Sequence, residues 1–258
     1  MEIQIKKTIK AGNSSAVLLP RAWLNKEVRV ELIEKTHEKI LLETLSILTT
    51  HLSLEKIIGV YLVGSYARKE QTPNSDIDIL VITNNIDKPL ISQDNYNILL
   101  VSTKLLQKKL NTDILPIGQM LKEATPLLNS PYLDSIKIKV TKKNISWYLK
   151  TTQEKIKLIK KATQLQEKNS GKTNSLITYT LILRIRTLYI IETLIKNTKY
   201  SNKDFLSLIV KLSGNSIPYE DYLSVKNNQN TKPKSTIEQV RTLNKYLESY
   251  LSKINKLI

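Results

Sequence analysis

The sequence has 258 residues but no cysteine, only two histidines, two methionines and a single phenylalanine. Without cysteine, disulfide staples and thiolate metal sites are excluded, and His37 and His51 alone leave little scope for a zinc site built on imidazole. Any bound metal is therefore expected to be hard and oxygen-liganded, Mg²⁺ or Mn²⁺. No run reaches the roughly 18 consecutive apolar residues of a membrane span, and the opening MEIQIKKTIK lacks the apolar stretch of a signal peptide. A soluble, cytoplasmic protein with no membrane partner is expected.

Hydrophobic residues make up 41% of the chain, enough for a packed globular protein, and the formal net charge is +17. The charge is unevenly placed. Residues 1–134 hold 16 Lys and Arg against 15 Asp and Glu, whereas 135–258 hold 24 against 8, so the excess is +1 in the first part and +16 in the second. A one-sided basic surface attracts polyanions, which points to RNA, DNA or an acidic partner protein.

Three patterns follow one another along the chain, and together they predict an α+β protein. Residues 3–33 read as short strands around a turn: IQIKKTIK alternates, AGNS turns, and VRVELI alternates again with Val28, Val30 and Leu32 on one face. A piece of about 35 residues cannot bury a core alone, so it must pair with something. From residue 36 a helical stripe through Ile40, Leu41, Leu45, Leu48 and Leu52 leads into strands KIIGVYLVG, DIDILVIT and YNILLV. Helices are expected at about 103–110 and 116–128, and a last strand, SIKIKV, at 135–140. Strands interleaved with helices predict a central α/β domain over 36–141 with a mixed sheet. Residues 142–258 read as a helical bundle whose central member is SLITYTLILRIRTLYIIETLIKN; Ser201 is set to cap a further helix. The loop 214–234, with Pro218 and Pro233, is expected to be irregular, and GKT at 171–173 lacks the first glycine of a P-loop and reads as a linker.

The chemistry concentrates in LVGSYARKEQTPNSDIDILVI. Gly64 and Ser65 follow an apolar strand directly, where a glycine lets the backbone approach a ligand and free N–H groups can face phosphate oxygens. Arg68 adds a bidentate phosphate donor. Ser75 then precedes Asp76-Ile77-Asp78 at the head of the next strand. Because side chains alternate, the two carboxylates share a face about 7 Å apart while Ile77 and Ile79 turn into the core. Paired carboxylates beside a phosphate-binding turn suit divalent ions that bridge a nucleoside triphosphate (NTP).

This stretch resembles the G-S-x-A-R-G…S-D-[IL]-D-[IL] signature of the polymerase beta superfamily, especially the minimal nucleotidyltransferases, with Lys69 standing where that family usually has glycine. The resemblance implies that Gly64, Ser65, Arg68 and Ser75 bind the nucleotide and that Asp76 and Asp78 are the catalytic, metal-holding pair. It also implies a third carboxylate from a neighbouring strand. YNILLVST offers none in its interior; Asp94 lies before that strand and Asp113 beyond the next helix.

Residues 1–35, with G-N-S, V-x-L-P, a tryptophan and V-x-V-x-L, resemble the AbrB-like swapped-hairpin unit, which implies a homodimer; Lys7, Lys10, Asn13 and Arg21 are then candidate phosphate or base contacts to DNA, or ordinary surface charges on a unit that only dimerises. In the bundle, Arg184 and Arg186 are candidates to contact a nucleotide or nucleic-acid acceptor; the alternative is that they cap or snorkel from a packed helix. The leading expectation is a Mg²⁺-dependent enzyme that transfers a nucleoside monophosphate from NTP to a hydroxyl of RNA or a partner protein. The alternative is an antitoxin-like, dimeric DNA-binding regulator with little or no catalysis.

Overall fold

The computed structural model describes residues 3–6, 8–31, 35–73, 75–169, 174–229 and 232–258. It divides into two compact units, Met1–Thr36 and His37–Ile258.

Within the first unit, strands β1 (Ile9–Ala11) and β2 (Ser14–Ala16) form an antiparallel hairpin. Gly12, at φ +60°, and Asn13 make its turn, a backbone region that glycine enters without steric cost. The strands expected over 3–33 are otherwise not formed among the described residues: 17–20 and 26–31 are irregular, and Arg21–Trp23 is a single 3-10 turn. Alternation alone does not make a strand when no partner supplies the ladder, and several apolar side chains here face water. Ile3 is 81% exposed, Leu24 73% and Val30 69%. Lys7 and Leu32 lie outside the described residues.

In the second unit, α1 (His37–Thr49) leads to β3 (Ile57–Val63), the single turn α2 (Gly64–Ala67), β4 (Ile77–Thr83), β5 (Lys88–Gln93) and β6 (Tyr96–Ser102). Next come α3 (Thr103–Thr112), α4 (Ile117–Glu123), β7 (Thr125–Leu128) and α5 (Ser130–Ser135). The five strands lie in the order β5-β6-β4-β3-β7, with β4 and β6 parallel and the other pairs antiparallel. This is the mixed sheet of the expected α+β fold. Strand alternation sorts the central strands between two layers. Val60, Leu62, Ile77, Ile79, Val81, Ile98 and Leu100 pack with Ile40, Ile47 and Leu48 of α1, while Tyr61, Val63, Leu80, Ile82 and Val101 join the core of the helical side.

That helical side consists of α6 (Lys142–Asn169), α7 (Ser175–Ile195), α8 (Asn202–Ser213), α9 (Ile217–Lys226) and α10 (Ile237–Leu257). Leu181, Ile182, Ile185, Leu188 and Ile191 of α7 are fully buried, as expected for a helix that is apolar nearly all round. The stripe Val240, Leu243, Leu247, Tyr250 and Ile254 of α10 is buried against α7 and α6.

Three expectations for the second unit also need correction. The helix placed at 116–128 stops at Glu123 because Pro126 cannot continue it; the chain instead forms β7, a sheet edge, where proline is tolerated. Residues 136–140 are not a strand: Ile136, Ile138 and Val140 pack on the helical core, so their alternation is satisfied by helices and not by a ladder. Within the supposed loop 214–234, α9 forms with Pro218 in its first turn, where the missing N–H costs nothing. The segment 171–173 lies outside the described residues.

A buried carboxylate ties α7 to α10. Glu192 accepts from Lys196 Nζ (2.5 Å), Lys253 Nζ (2.7 Å) and the Tyr250 hydroxyl. Burial by itself would raise its pKa, but these donors outweigh it and hold the carboxyl at about 2. A depressed carboxylate stabilises the fold above its unfolded value of about 4.3, and the contribution is lost as pH falls from there towards the folded value. Glu192→Gln should therefore cost about 1–3 kcal/mol in urea unfolding at pH 7, with the difference from wild type shrinking below pH 4. A constant difference down to pH 3 would contradict the linkage.

Candidate active site

β3 ends at Val63, whose register partner on β4 is Asp78. The chain then turns through Gly64 at φ +69°. A Cβ on this residue would sit 2.2 Å from Asp78 Oδ2, so both the backbone angle and the approach of the carboxylate demand glycine. The turn and the aspartate, 14 positions apart, are thus pressed into one structure. Lys69 lies at φ +58°, a left-handed conformation that a side chain disfavours and that glycine enters freely.

Asp78 is half-buried on the sheet face that carries Leu80 and Ile82, and Asp76 is exposed one residue before β4 begins. Burial pushes the Asp78 carboxyl up, and Asp76 pushes it further; Asn97 and Arg68 partly offset this. Asn97 is the register partner of Asp78 on β6. At this position on the neighbouring strand the chain has an amide, and no third acid of the kind the resemblance implied. Asp94 instead sits in the β5–β6 turn at φ +52°, and Asp113 is held at the end of α3 by Lys109 and the Tyr148 hydroxyl. Among the described residues, no three acidic or histidine side chains cluster closely enough to hold a metal together.

A buried acid that the sequence reading missed stands beside the pair. Glu123, at the end of α4 and 3% exposed, accepts from the Gly64 backbone N–H (2.9 Å) and from Arg68 Nη1 (2.7 Å). Arg68 also donates from Nε to Glu70 (2.9 Å), so the expected phosphate donor is at the site but two of its five N–H groups are engaged by carboxylates. Burial would lower the Arg68 pKa; its two carboxylate partners raise it above the usual guanidinium value. No motif announces Glu123, which reaches Gly64 across 59 positions.

Glu70 in turn accepts from the backbone N–H of Asn202, the first residue of α8 (2.8 Å). Asn202 Oδ1 accepts from the hydroxyls of Tyr200 and Tyr219. The Tyr200 ring lies 5.5 Å from the Arg68 guanidinium and 5.2 Å from that of Arg186, whose Nε donates to the Tyr200 hydroxyl. Arg186 is therefore linked to the site through one tyrosine. Arg184, two positions earlier, points elsewhere: its Nη1 donates to Thr151 on α6. Ser65 is partly exposed and its hydroxyl has no partner among the described residues, whereas Ser75 Oγ accepts from the Thr72 N–H and closes the loop ahead of Asp76. Lys10, Asn13 and Arg21 are exposed on the first unit.

Among the described residues no helix is long and apolar enough to cross a membrane. No curated protein matches the chain in sequence. Among solved structures, a nucleotidyltransferase-like protein from Exiguobacterium sibiricum 255-15 is 15% identical with a TM-score of 0.40, covering 83% of this chain and 75% of that one. A spectinomycin adenyltransferase from Enterococcus faecialis, solved with ATP and spectinomycin, is also 15% identical with a TM-score of 0.44, covering 82% and 98%. Residues 46–198, more than half of the sequence, match the nucleotidyltransferase domain family, and the turn at Gly64 with Asp76 and Asp78 falls inside that span: the chain belongs to this family.

Proposed function

We propose that this protein transfers a nucleoside monophosphate from an NTP to an acceptor hydroxyl at the site formed by Gly64, Ser65, Asp76 and Asp78. The observation that carries the reading is the contact between Gly64 and Asp78, which leaves no room for a side chain between a backbone turn and a carboxylate. The donor set is oxygen only, and two carboxylates whose charges repel each other suit a small divalent cation such as Mg²⁺ or Mn²⁺. Held by Asp76 and Asp78, such an ion would neutralise triphosphate charge and polarise the α-phosphate. Ser65 offers a free hydroxyl to the phosphates. Arg68 fixes Glu123 and the turn, and its remaining N–H groups can face the triphosphate. The basic second half favours RNA as acceptor over a small cationic molecule, which would call for an acidic pocket. Calorimetry with Mg²⁺-NTP, followed by transfer of α-labelled phosphate to RNA, tests the reading. No binding of any NTP would abandon it for a regulator that uses the fold only to bind.

The exposed apolar residues Ile3, Ile5, Leu24 and Val30 of the first unit favour a second copy of the chain as their cover. Deleting residues 1–35 should turn a dimer into a monomer in light scattering while the sheet and helices stay folded. A truncated protein that remains dimeric would place the interface elsewhere.

A further inference from the structure

The solvent face of α6 carries a tryptophan that its fold does not require. Trp147 is 62% exposed, and every other Phe, Tyr and Trp side chain among the described residues is at least partly buried. Its inner surroundings are specific. The Arg184 guanidinium of α7 lies 5.8 Å from the ring centroid, and Tyr148 meets it edge-on at 5.0 Å. A ring propped from below in this way presents a flat apolar surface to water at no further cost in side-chain freedom.

The cation under the ring has no anion. Arg184 Nη1 donates to Thr151 (3.0 Å), its Nε is buried without a partner, and no carboxylate pairs with it. Burial pushes its pKa below the usual guanidinium value, the direction expected of a cation that lacks a counter-charge. Around it the helix is strongly one-signed: Lys142–Lys161 contains seven lysines and a single acid, Glu154, and none of the seven makes an ion pair among the described residues. Lys143 and Lys150 lie four before and three after Trp147, so all three share a face of α6.

A stackable ring flanked by unpaired cations is the recurring arrangement for single strands, whose splayed bases offer π-faces and whose phosphates need neutralising. A duplex hides its base faces, and an acidic peptide has none to stack. We propose that Trp147, Arg184, Lys143 and Lys150 form a seat for single-stranded nucleic acid, with one base stacked on Trp147 and the adjoining phosphates held by the three cations. The seat is separate from the transfer chemistry, and it holds whether or not nucleic acid is the acceptor.

The sequence supplies a direct probe, because Trp23 is its only other tryptophan. In full-length Trp23→Phe protein, 20-mers of uridine or deoxythymidine should quench Trp147 fluorescence at low salt, with log K falling against log salt at a slope of about −2, since each single-strand phosphate contributes about −0.7. Binding of either strand supports the seat. Trp147→Ala, a surface change, should weaken binding of a labelled 20-mer by about tenfold or more in anisotropy, and Trp147→Phe should restore most of it. Asp78→Asn should leave this affinity unchanged, so failure here is distinct from failure of the transfer reading. The seat is overturned if neither 20-mer quenches, if Trp147→Ala binds like wild type, or if duplex DNA or polyglutamate quenches equally.

Discussion

Asp78→Asn protein should lose Mg²⁺-NTP binding and nucleotide transfer while becoming no less stable than wild type. The loss follows from the donor count: among the described residues at the site, Asp76 and Asp78 are the acids not engaged by a cation or a backbone N–H, since Glu123 is committed to Arg68 and Gly64 and Glu70 to Arg68 and Asn202. Removing one of two anionic ligands should cost several kcal/mol of metal-assisted charge stabilisation, a rate drop on the order of 10³-fold or more. The stability expectation has the opposite sign. Burial and Asp76 raise the Asp78 pKa, so its charged form is disfavoured in the folded state. A raised carboxyl contributes stability fully below its unfolded value of about 3.9 and loses it as pH rises through the folded value, leaving a deficit at neutral pH. The near-isosteric amide escapes that deficit. Without metal at pH 7, Asp78→Asn should match or exceed wild type in Tm, and the margin should close towards pH 4. Mg²⁺-NTP should raise the Tm of wild type alone. Unchanged affinity in Asp78→Asn would remove the assignment.

Glu123→Ala should be the most destabilising single change near the site, by about 3–5 kcal/mol. The substitution leaves the Gly64 N–H and one arm of Arg68 without their acceptor in a place that water scarcely reaches. Glu123→Gln keeps an oxygen for Gly64 and loses only the charge, so it should fall between the two. Urea midpoints order the three proteins; an alanine variant as stable as wild type would show that Arg68 and Gly64 find other partners at little cost. The expected kinetic consequence is a looser turn, seen as a raised KM for NTP in Glu123→Gln before any fall in kcat.

What the sequence disclosed, and what it hid, divides along range. β4 is legible because isoleucine, leucine and valine fill both its faces, and α7 and α10 because their apolar residues recur at helical spacing. β5 was missed because it is an edge: its pattern KPLISQ is largely exposed and includes Pro89, features that protect an edge but erase the usual strand signal. α9 was hidden by Pro218, which reads as a breaker until its place in the first turn is known. At the site, Gly64 and Asp78 were visible because turn and strand lie close in sequence. Glu123 was not, because its role exists only once α4 is folded back against the turn; the same holds for Asn202, which meets Glu70 across 132 positions.

One core serves both the sheet and the helices, and this orders events during synthesis. Val63, Leu80 and Ile82 share their cluster with Leu243, Leu247 and Ile254 of α10. The strands leave the ribosome long before the helix that covers them, and until α10 follows, that face of the sheet and the apolar surround of α7 stay open to other hydrophobic surfaces. A nascent chain halted before residue 237 would thus carry its whole Gly64–Asp78 turn and strand on an unfinished protein.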